Sequence, residues 1–345
     1  MRVAIIGAGL QGARRAQALQ GLREVELALI TAREVRGASP LAARMGCAPG
    51  AGWEEAVRRQ DIDAVLVCTP PDLHAAITLA AVAEGKHVLC EKPLARTVAE
   101  GEAMVAAAAQ RGVVLKCGFN HRHHPAVMAA KRHFDDGGIG PPVFLRAAYG
   151  ICGRPGYEKE WRADTIVVSG GHLMEQGIHV IDLFRWFLGE LQDVTALVAT
   201  RYWPIAPLED NAVVACRSAG GALAVLHSSL TQWKNLFSFE VFGENGYVAV
   251  EGLGGGYGTE KLIAGKATFD RPFAYEVTEF RGGDVSWLEE WKVFAEAIRT
   301  GQPPIGDGAD GVEALRVVFA AYEAARRGRH ISPAEEWAMA ARCVR

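Results

Sequence analysis

Short apolar runs that switch into helical periodicity dominate the start of the chain. Arg2 to Ile6 has no helical period and breaks at once into Gly7-Ala-Gly9-Leu10-Gln11-Gly12, after which Ala13 to Gly21 is compatible with a helix. The predicted order is strand, glycine turn, helix. Glu26 to Ile30, Asp63 to Thr69, His87 to Cys90 and Val113 to Cys117 repeat the buried-strand texture. An alanine-rich stretch from Ala75 to Glu84, and another opening on the capping-box spacing Thr97-Val-Ala-Glu100, supply helices between them. Strands alternating with helices predict a doubly wound parallel sheet.

From Val143 the texture changes. Val143 to Tyr149, Val194 to Tyr202, Ala212 to Arg217, Ala222 to Leu230, Phe237 to Phe242 and Tyr247 to Glu251 are β-rich runs, with turns at Gly220-Gly221 and Glu244-Asn245-Gly246. Mainly antiparallel pairing follows. Ser286-Trp-Leu-Glu289 starts a helix ending at Gly301, and Asp310 to Arg327 reads as a final amphipathic helix. The expected fold class is α/β: an N-terminal Rossmann doubly wound parallel sheet over residues 1–122, then an α+β domain over 123–345 with a large, mainly antiparallel open sheet. The second domain is expected to bind substrate and to assemble. One sheet face can pack on a helix, and the other calls for a homodimer or homotetramer.

The length of 345 residues suits two domains sharing a cleft. With 22% charged residues and a formal net charge of −3, no basic field invites nucleic acid. The apolar start is too short for a signal-peptide core and no apolar run approaches a membrane span, so a cytoplasmic location is the default expectation. The seven cysteines, Cys47, Cys68, Cys90, Cys117, Cys152, Cys216 and Cys343, are odd in number and scattered, and are expected to be reduced core thiols. No metal is expected, because His121, His123 and His124 lack a nearby cysteine or carboxylate cluster and read as a cleft-edge loop.

The glycine turn carries the first chemistry. Gly7 allows the tight turn, Gly9 lets the backbone approach a pyrophosphate, and Gly12 lets helix pack on strand, while the N–H groups near Leu10 and Gln11 face the phosphates. Where NAD enzymes usually carry an acid for the ribose 2′-hydroxyl, this chain has Thr31-Ala-Arg33. Thr31 can donate to a phosphate and Arg33 can pair with one, which favours NADP over NAD. Alternatively, Arg33 is a solvated loop residue and Glu34 binds the ribose. Thr69, Pro70, His74, Glu91 and Lys92 lie at or just beyond strand C-termini, where ligands of such sheets bind.

Gly7 to Gly12, Cys68-Thr-Pro-Pro-Asp-Leu-His74, Glu91-Lys-Pro93, Gly118-Phe-Asn-His-Arg122 and Gly170-Gly171 through Asp182, taken in order, resemble the Gfo/Idh/MocA family of oxidoreductases over essentially the whole chain. By itself Lys92 could be a surface lysine in a turn; the resemblance implies that it binds the reacting hydroxyl or carbonyl oxygen. At about 100° per residue Glu175, His179, Asp182 and Trp186 share one helix stripe. Without the resemblance, a solvated face or a buried histidine held by Asp182 stands equally well; with it, His179 is the general acid/base. Family members often carry aspartate where Glu175 stands, there orienting the imidazole or binding a substrate hydroxyl. Asp182 either holds the other nitrogen of His179 or belongs to a structural network. Asn120 and Arg122 are expected at nicotinamide or substrate. The resemblance also places Trp161 and Arg162 at the cofactor, against the alternative of a tryptophan anchoring its loop.

The implied activity is NAD(P)-dependent hydride transfer at a secondary alcohol or ketone of a sugar, sugar derivative or cyclitol, with Lys92, Glu175 and His179 catalytic and Arg122 touching substrate. Two other classes compete: cofactor-assisted glycoside cleavage by transient oxidation and elimination, and a non-catalytic NADP-binding regulator.

Overall fold

The structure, a computed structural model, describes residues 1–269 and 274–334. It divides into two compact units: residues 1–120, 166–168 and 287–312 form the first, and 121–165, 169–286 and the chain from 313 onward form the second. The first unit thus reclaims a late segment that a single boundary after residue 122 does not contain. Cys343 lies outside the described residues.

In the first unit β1 (Arg2–Ile6), β2 (Glu26–Ala32), β3 (Ala48–Ala51), β4 (Ala64–Val67), β5 (His87–Glu91) and β6 (Leu115–Gly118) form one sheet in the order β3-β2-β1-β4-β5-β6. Every pair is parallel, which gives the expected Rossmann arrangement. Its crossovers carry α1 (Leu10–Leu19), α2 (Val35–Met45), α3 (Trp53–Arg58), α4 (His74–Ala83) and α5 (Val98–Arg111). Helices on such a sheet bury the central strands: Val3, Ala4, Ile5, Ala64 and Val65 are all 0% exposed. The capping box forms at α5, where Thr97 Oγ1 accepts from the Glu100 N–H and Glu100 Oε2 accepts from the Thr97 N–H, both at 3.1 Å.

The second unit contains α6 (Pro125–Asp135), α7 (Ile178–Leu188) and β7 (Pro142–Cys152), β8 (Thr195–Ala199), β9 (Asn211–Arg217), β10 (Leu223–Ser229), β11 (Thr231–Gly243), β12 (Gly246–Glu251), β13 (Glu260–Lys266) and β14 (Tyr275–Phe280). These strands form one sheet in the order β14-β13-β12-β11-β7-β10-β9-β8. Only the β7–β10 pair is parallel, so the sheet is mainly antiparallel as expected. The connectivity is less simple, because β10 and β11 are consecutive yet β7 lies between them. The run expected to reach Tyr202 stops at Ala199. Asp210 there accepts hydrogen bonds from the N–H groups of Arg201, Tyr202 and Trp203 at 2.9, 2.7 and 2.9 Å, which bends the chain into a loop. α7 packs on the sheet through Phe184 and Phe187, whose ring centroids lie 5.9 and 5.2 Å from that of Phe239.

Two helices close the described chain, α8 (Ser286–Thr300) and α9 (Gly308–Arg327). Trp291 and Phe294 of α8 join Val3, Ile5, Leu66 and Leu89 in the core of the first unit.

Candidate functional site

The glycines of the first turn are required for different reasons. Gly7 has φ +109°, and a Cβ there would meet Cys68 O at 2.6 Å; a Cβ on Gly12 would meet Gly7 O at 1.9 Å. Both serve the packing of turn on strand and helix. Gly9 has an ordinary φ of −75°, and a Cβ there would meet nothing within 4 Å. α1 starts beside it with no side-chain cap and no acidic residue in its first turn. Leu10 is 62% exposed and Gln11 half-buried. An uncapped, positive helix end beside open space fits a dinucleotide pyrophosphate.

At the end of β2, Thr31 is completely buried and its Oγ1 has no hydrogen-bond partner among the described residues. Arg33 is exposed on the turn that follows, and Glu34 faces Arg36 at 2.5 Å. Of the two residues expected at the ribose, only Arg33 reaches the surface. After β4, Thr69 and Pro70 are half-buried, and Thr69 Oγ1 lacks a partner among the described residues. His74 uses both ring nitrogens on backbone, with Nδ1 2.9 Å from Pro93 O and Nε2 2.9 Å from Thr69 O. Burial lowers its pKa against the opposing pull of these carbonyls, and a neutral ring donates to one of them. The ring of His74 thus lies between the β4 turn and the Glu91-Lys92-Pro93 turn, bonded to one and in contact with the other.

Lys92 is half-buried at the end of β5, before a cis bond to Pro93. The expected cofactor contact at Glu91 meets a side chain already held by Arg15, whose Nε and Nη2 lie 2.8 and 2.7 Å from Glu91 Oε1. Arg15 Nη1 reaches Glu290 Oε2 at 2.5 Å, and Lys116 Nζ lies 3.2 Å from Glu290 Oε1. These four charged side chains are all buried, and together they fix the strand end that Lys92 follows. Asn120, at the edge of the first unit, is buried as well.

The histidines read as a loop belong to a buried 3₁₀ turn, Asn120–His123, with His121, Arg122, His123 and His124, all of the second unit, each at most 5% exposed. Apolar surroundings make their partners decisive. Arg122, expected at substrate, directs Nε and Nη2 to the two oxygens of Asp182 at 2.8 and 2.6 Å and lies 5.4 Å from the Trp186 ring. This contact gives Asp182 a place in a structural network. His179 is 3% exposed, and its ring stacks on that of His121 with centroids 3.8 Å apart.

The helix carrying Glu175 is not regular. Leu173–Gly177 is a π-helical turn ahead of α7, so a 100° stripe does not run unbroken through it. Glu175 Oε2 accepts from Tyr157 OH at 2.9 Å and Oε1 from Arg162 Nε at 2.6 Å. Burial first, and then the Glu175 charge, push the Tyr157 hydroxyl well above its usual pKa, which keeps it a donor. Arg162 also lies 4.3 Å over the ring of Trp161, which is 36% exposed. Trp161 and Arg162, expected at the cofactor, are thus placed around Glu175 within the second unit.

Sequence reasoning missed Glu209. Its carboxylate accepts from the N–H groups of Gly171 and Leu173 at 2.9 and 2.8 Å and from Tyr322 OH at 2.8 Å. A Cβ on Gly171 would meet Glu209 O at 2.1 Å, and one on Gly170 would meet Tyr322 OH at 2.2 Å. The glycine pair therefore lets Glu209 hold the entry to the helix that bears Glu175 and His179. The only sequence signal is the acidic pair Glu209-Asp210 before a strand. No group of three or more His, Cys, Asp or Glu suited to a metal ion occurs among the described residues.

Residues 1–119 match the family profile "Oxidoreductase family, NAD-binding Rossmann fold", and residues 127–249 match that of the GFO/IDH/MocA C-terminal domain. The chain belongs to the Gfo/Idh/MocA family. This oxidoreductase is similar to levoglucosan dehydrogenase of Pseudarthrobacter phenanthrenivorans, with 36% identity over 171 residues, 49% of this chain and 44% of that protein. It is also similar to myo-inositol 2-dehydrogenase of Thermotoga maritima, with 28% identity over 342 residues, 96% of this chain and 98% of the relative. A solved levoglucosan dehydrogenase in complex with NADH and levoglucosan matches its fold with a TM-score of 0.89 at 25% identity, covering 96% of this chain and 98% of that one. The family resemblance read from the motifs is borne out.

Proposed function

We propose that the enzyme interconverts a secondary alcohol and a ketone on a sugar, sugar derivative or cyclitol. The observation that carries this reading is His179, a nearly buried imidazole on α7 with a second ring against its face, in a chain whose first unit holds a fitting dinucleotide cradle. A bound nicotinamide would supply the hydride acceptor or donor. His179 takes the hydroxyl proton during oxidation and returns it during reduction, as an imidazole can. Lys92 stabilises charge on the reacting oxygen. Glu175, held by Tyr157 and Arg162, accepts a hydrogen bond from a neighbouring substrate hydroxyl. The names of the inositol and levoglucosan dehydrogenases support the substrate class.

Arg33 at the surface, with Glu34 engaged by Arg36, favours NADP over NAD. The NADH in the solved relative makes NAD the alternative. A homodimer or homotetramer covers the outer sheet face, where Leu197, Val213, Leu223, Tyr275 and Val277 are 43–76% exposed. A cytoplasmic location accords with six free cysteines among the described residues, and no described helix is long and apolar enough to cross a membrane.

The test is a panel of sugars, sugar acids and inositols with NAD and NADP in parallel. Sustained formation of reduced cofactor supports the reading. Bond cleavage without net reduced cofactor points instead to the oxidation–elimination route. Undiminished turnover in both Lys92→Ala and His179→Ala overturns the assigned roles.

A further inference from the structure

We propose that His121 is a positioning residue for His179, the two imidazoles forming a stacked pair that holds one proton between them. The inference rests on His179 being the acid/base. The ring planes are inclined by 19° with centroids 3.8 Å apart, and the residues are 5% and 3% exposed, so little water screens one from the other. A neighbouring side-chain ion pair braces this contact. Arg122, next to His121, grips Asp182, which lies about one turn beyond His179 on α7.

A neutral imidazole tolerates an imidazolium against its face, whereas two imidazoliums at this separation repel in a weakly screened interior. A proton on one ring therefore opposes a proton on the other, and the rings titrate as a pair. Tyr149 of β7 faces both rings, at 5.2 Å from His121 and 6.4 Å from His179, with its hydroxyl 3.3 Å from Tyr257 OH. His124 stands edge-on to His121 at 5.6 Å and is bound to Glu260, and His172 lies 6.4 Å from Tyr149. Phe237 of β11 adds an apolar wall 5.7 Å from His121. The Arg122–Asp182 pair adds two charges on the same turn and helix, and His123, 2% exposed, is a further titratable ring of the turn. When His179 takes the substrate proton, neutral His121 stays against it and keeps the ring aimed.

The test is a ring-nitrogen NMR titration of the full chain as wild type, His121→Phe and His179→Phe; phenylalanine preserves a flat ring in each place. In the wild type the rings should titrate in separate steps, and replacing the ring that takes the first proton should raise the step of the other by about one pH unit or more. The kcat of His121→Phe should fall with KM changing much less, and the acid limb of its pH profile should move. Two rings that titrate independently of each other, or that never titrate, overturn the proposal. If His121→Phe does not fold, His179→Phe and the wild type decide. Because the titrations need no turnover, coupled rings in a protein inactive on every substrate would sink the proposed reaction alone, and uncoupled rings in an active enzyme would sink the pair alone.

Discussion

Arg122 and Asp182 meet as a bidentate pair at 2.8 and 2.6 Å, with side-chain exposures of 3% and 0%. Removing one partner strands a buried charge, so Arg122→Leu and Asp182→Leu should each cost about 3–5 kcal/mol. The double variant should recover much of that loss. Urea unfolding of all four proteins closes the cycle, and strictly additive losses would refute the coupling.

Gly9 and Gly12 should separate binding from folding. Gly9→Ala adds a methyl that meets nothing within 4 Å, so its thermal melt should match wild type while dinucleotide affinity falls. Gly12→Ala drives a methyl to 1.9 Å from Gly7 O, an overpacking that should destabilise by about 1–3 kcal/mol or more. Equal affinity in Gly9→Ala would remove the pyrophosphate from this turn.

Acid stability should report on Glu260, which accepts from His124 Nδ1, the Ala126 N–H and the Gly254 N–H at 3.0, 2.8 and 3.0 Å. Burial alone would raise its pKa, but His124 and the two backbone donors outweigh it and hold the carboxyl below its ordinary 4.5. A value depressed by folding means that the stabilisation is complete above pH 4.5 and drains away as pH falls through the folded value. Glu260→Gln should lose stability at neutral pH and show a flatter decline in acid. An unchanged acid limb would discount the role of this carboxylate.

Cofactor choice should follow Arg33. Arg33→Ala should lower kcat/KM with NADP roughly tenfold or more relative to NAD, in keeping with about 1.5–3 kcal/mol for a hydrogen bond to a charged group. An unchanged ratio would return the ribose to Glu34.

The motifs that were legible from sequence are those where one local rule decides the outcome. Arg2–Ile6 and its glycines form the expected strand and turn because continuous apolar runs and forced close approaches leave few alternatives. β3 escaped notice because Ala48-Pro-Gly-Ala51 has no β-branched or aromatic residue; it forms by pairing with β2. The π turn before α7 is invisible to a fixed period. His121 and Glu209 were obscure for a different reason, since their importance lies in partners 58 residues away for His121 and between 36 and 113 residues away for Glu209, rather than in any local pattern.

Arg15 and Glu290 are 275 residues apart in sequence and in contact in the first unit. A ribosome adding about 5–20 residues per second completes the N-terminal sheet roughly 8–34 s before α8 emerges to meet it. Until then Arg15 lacks Glu290, and the hydrophobic surface reserved for Trp291 and Phe294 stays bare. The nascent N-terminal segment therefore carries an uncovered apolar face until α8 arrives, and a cofactor domain excised at residue 122 would retain that exposed surface permanently.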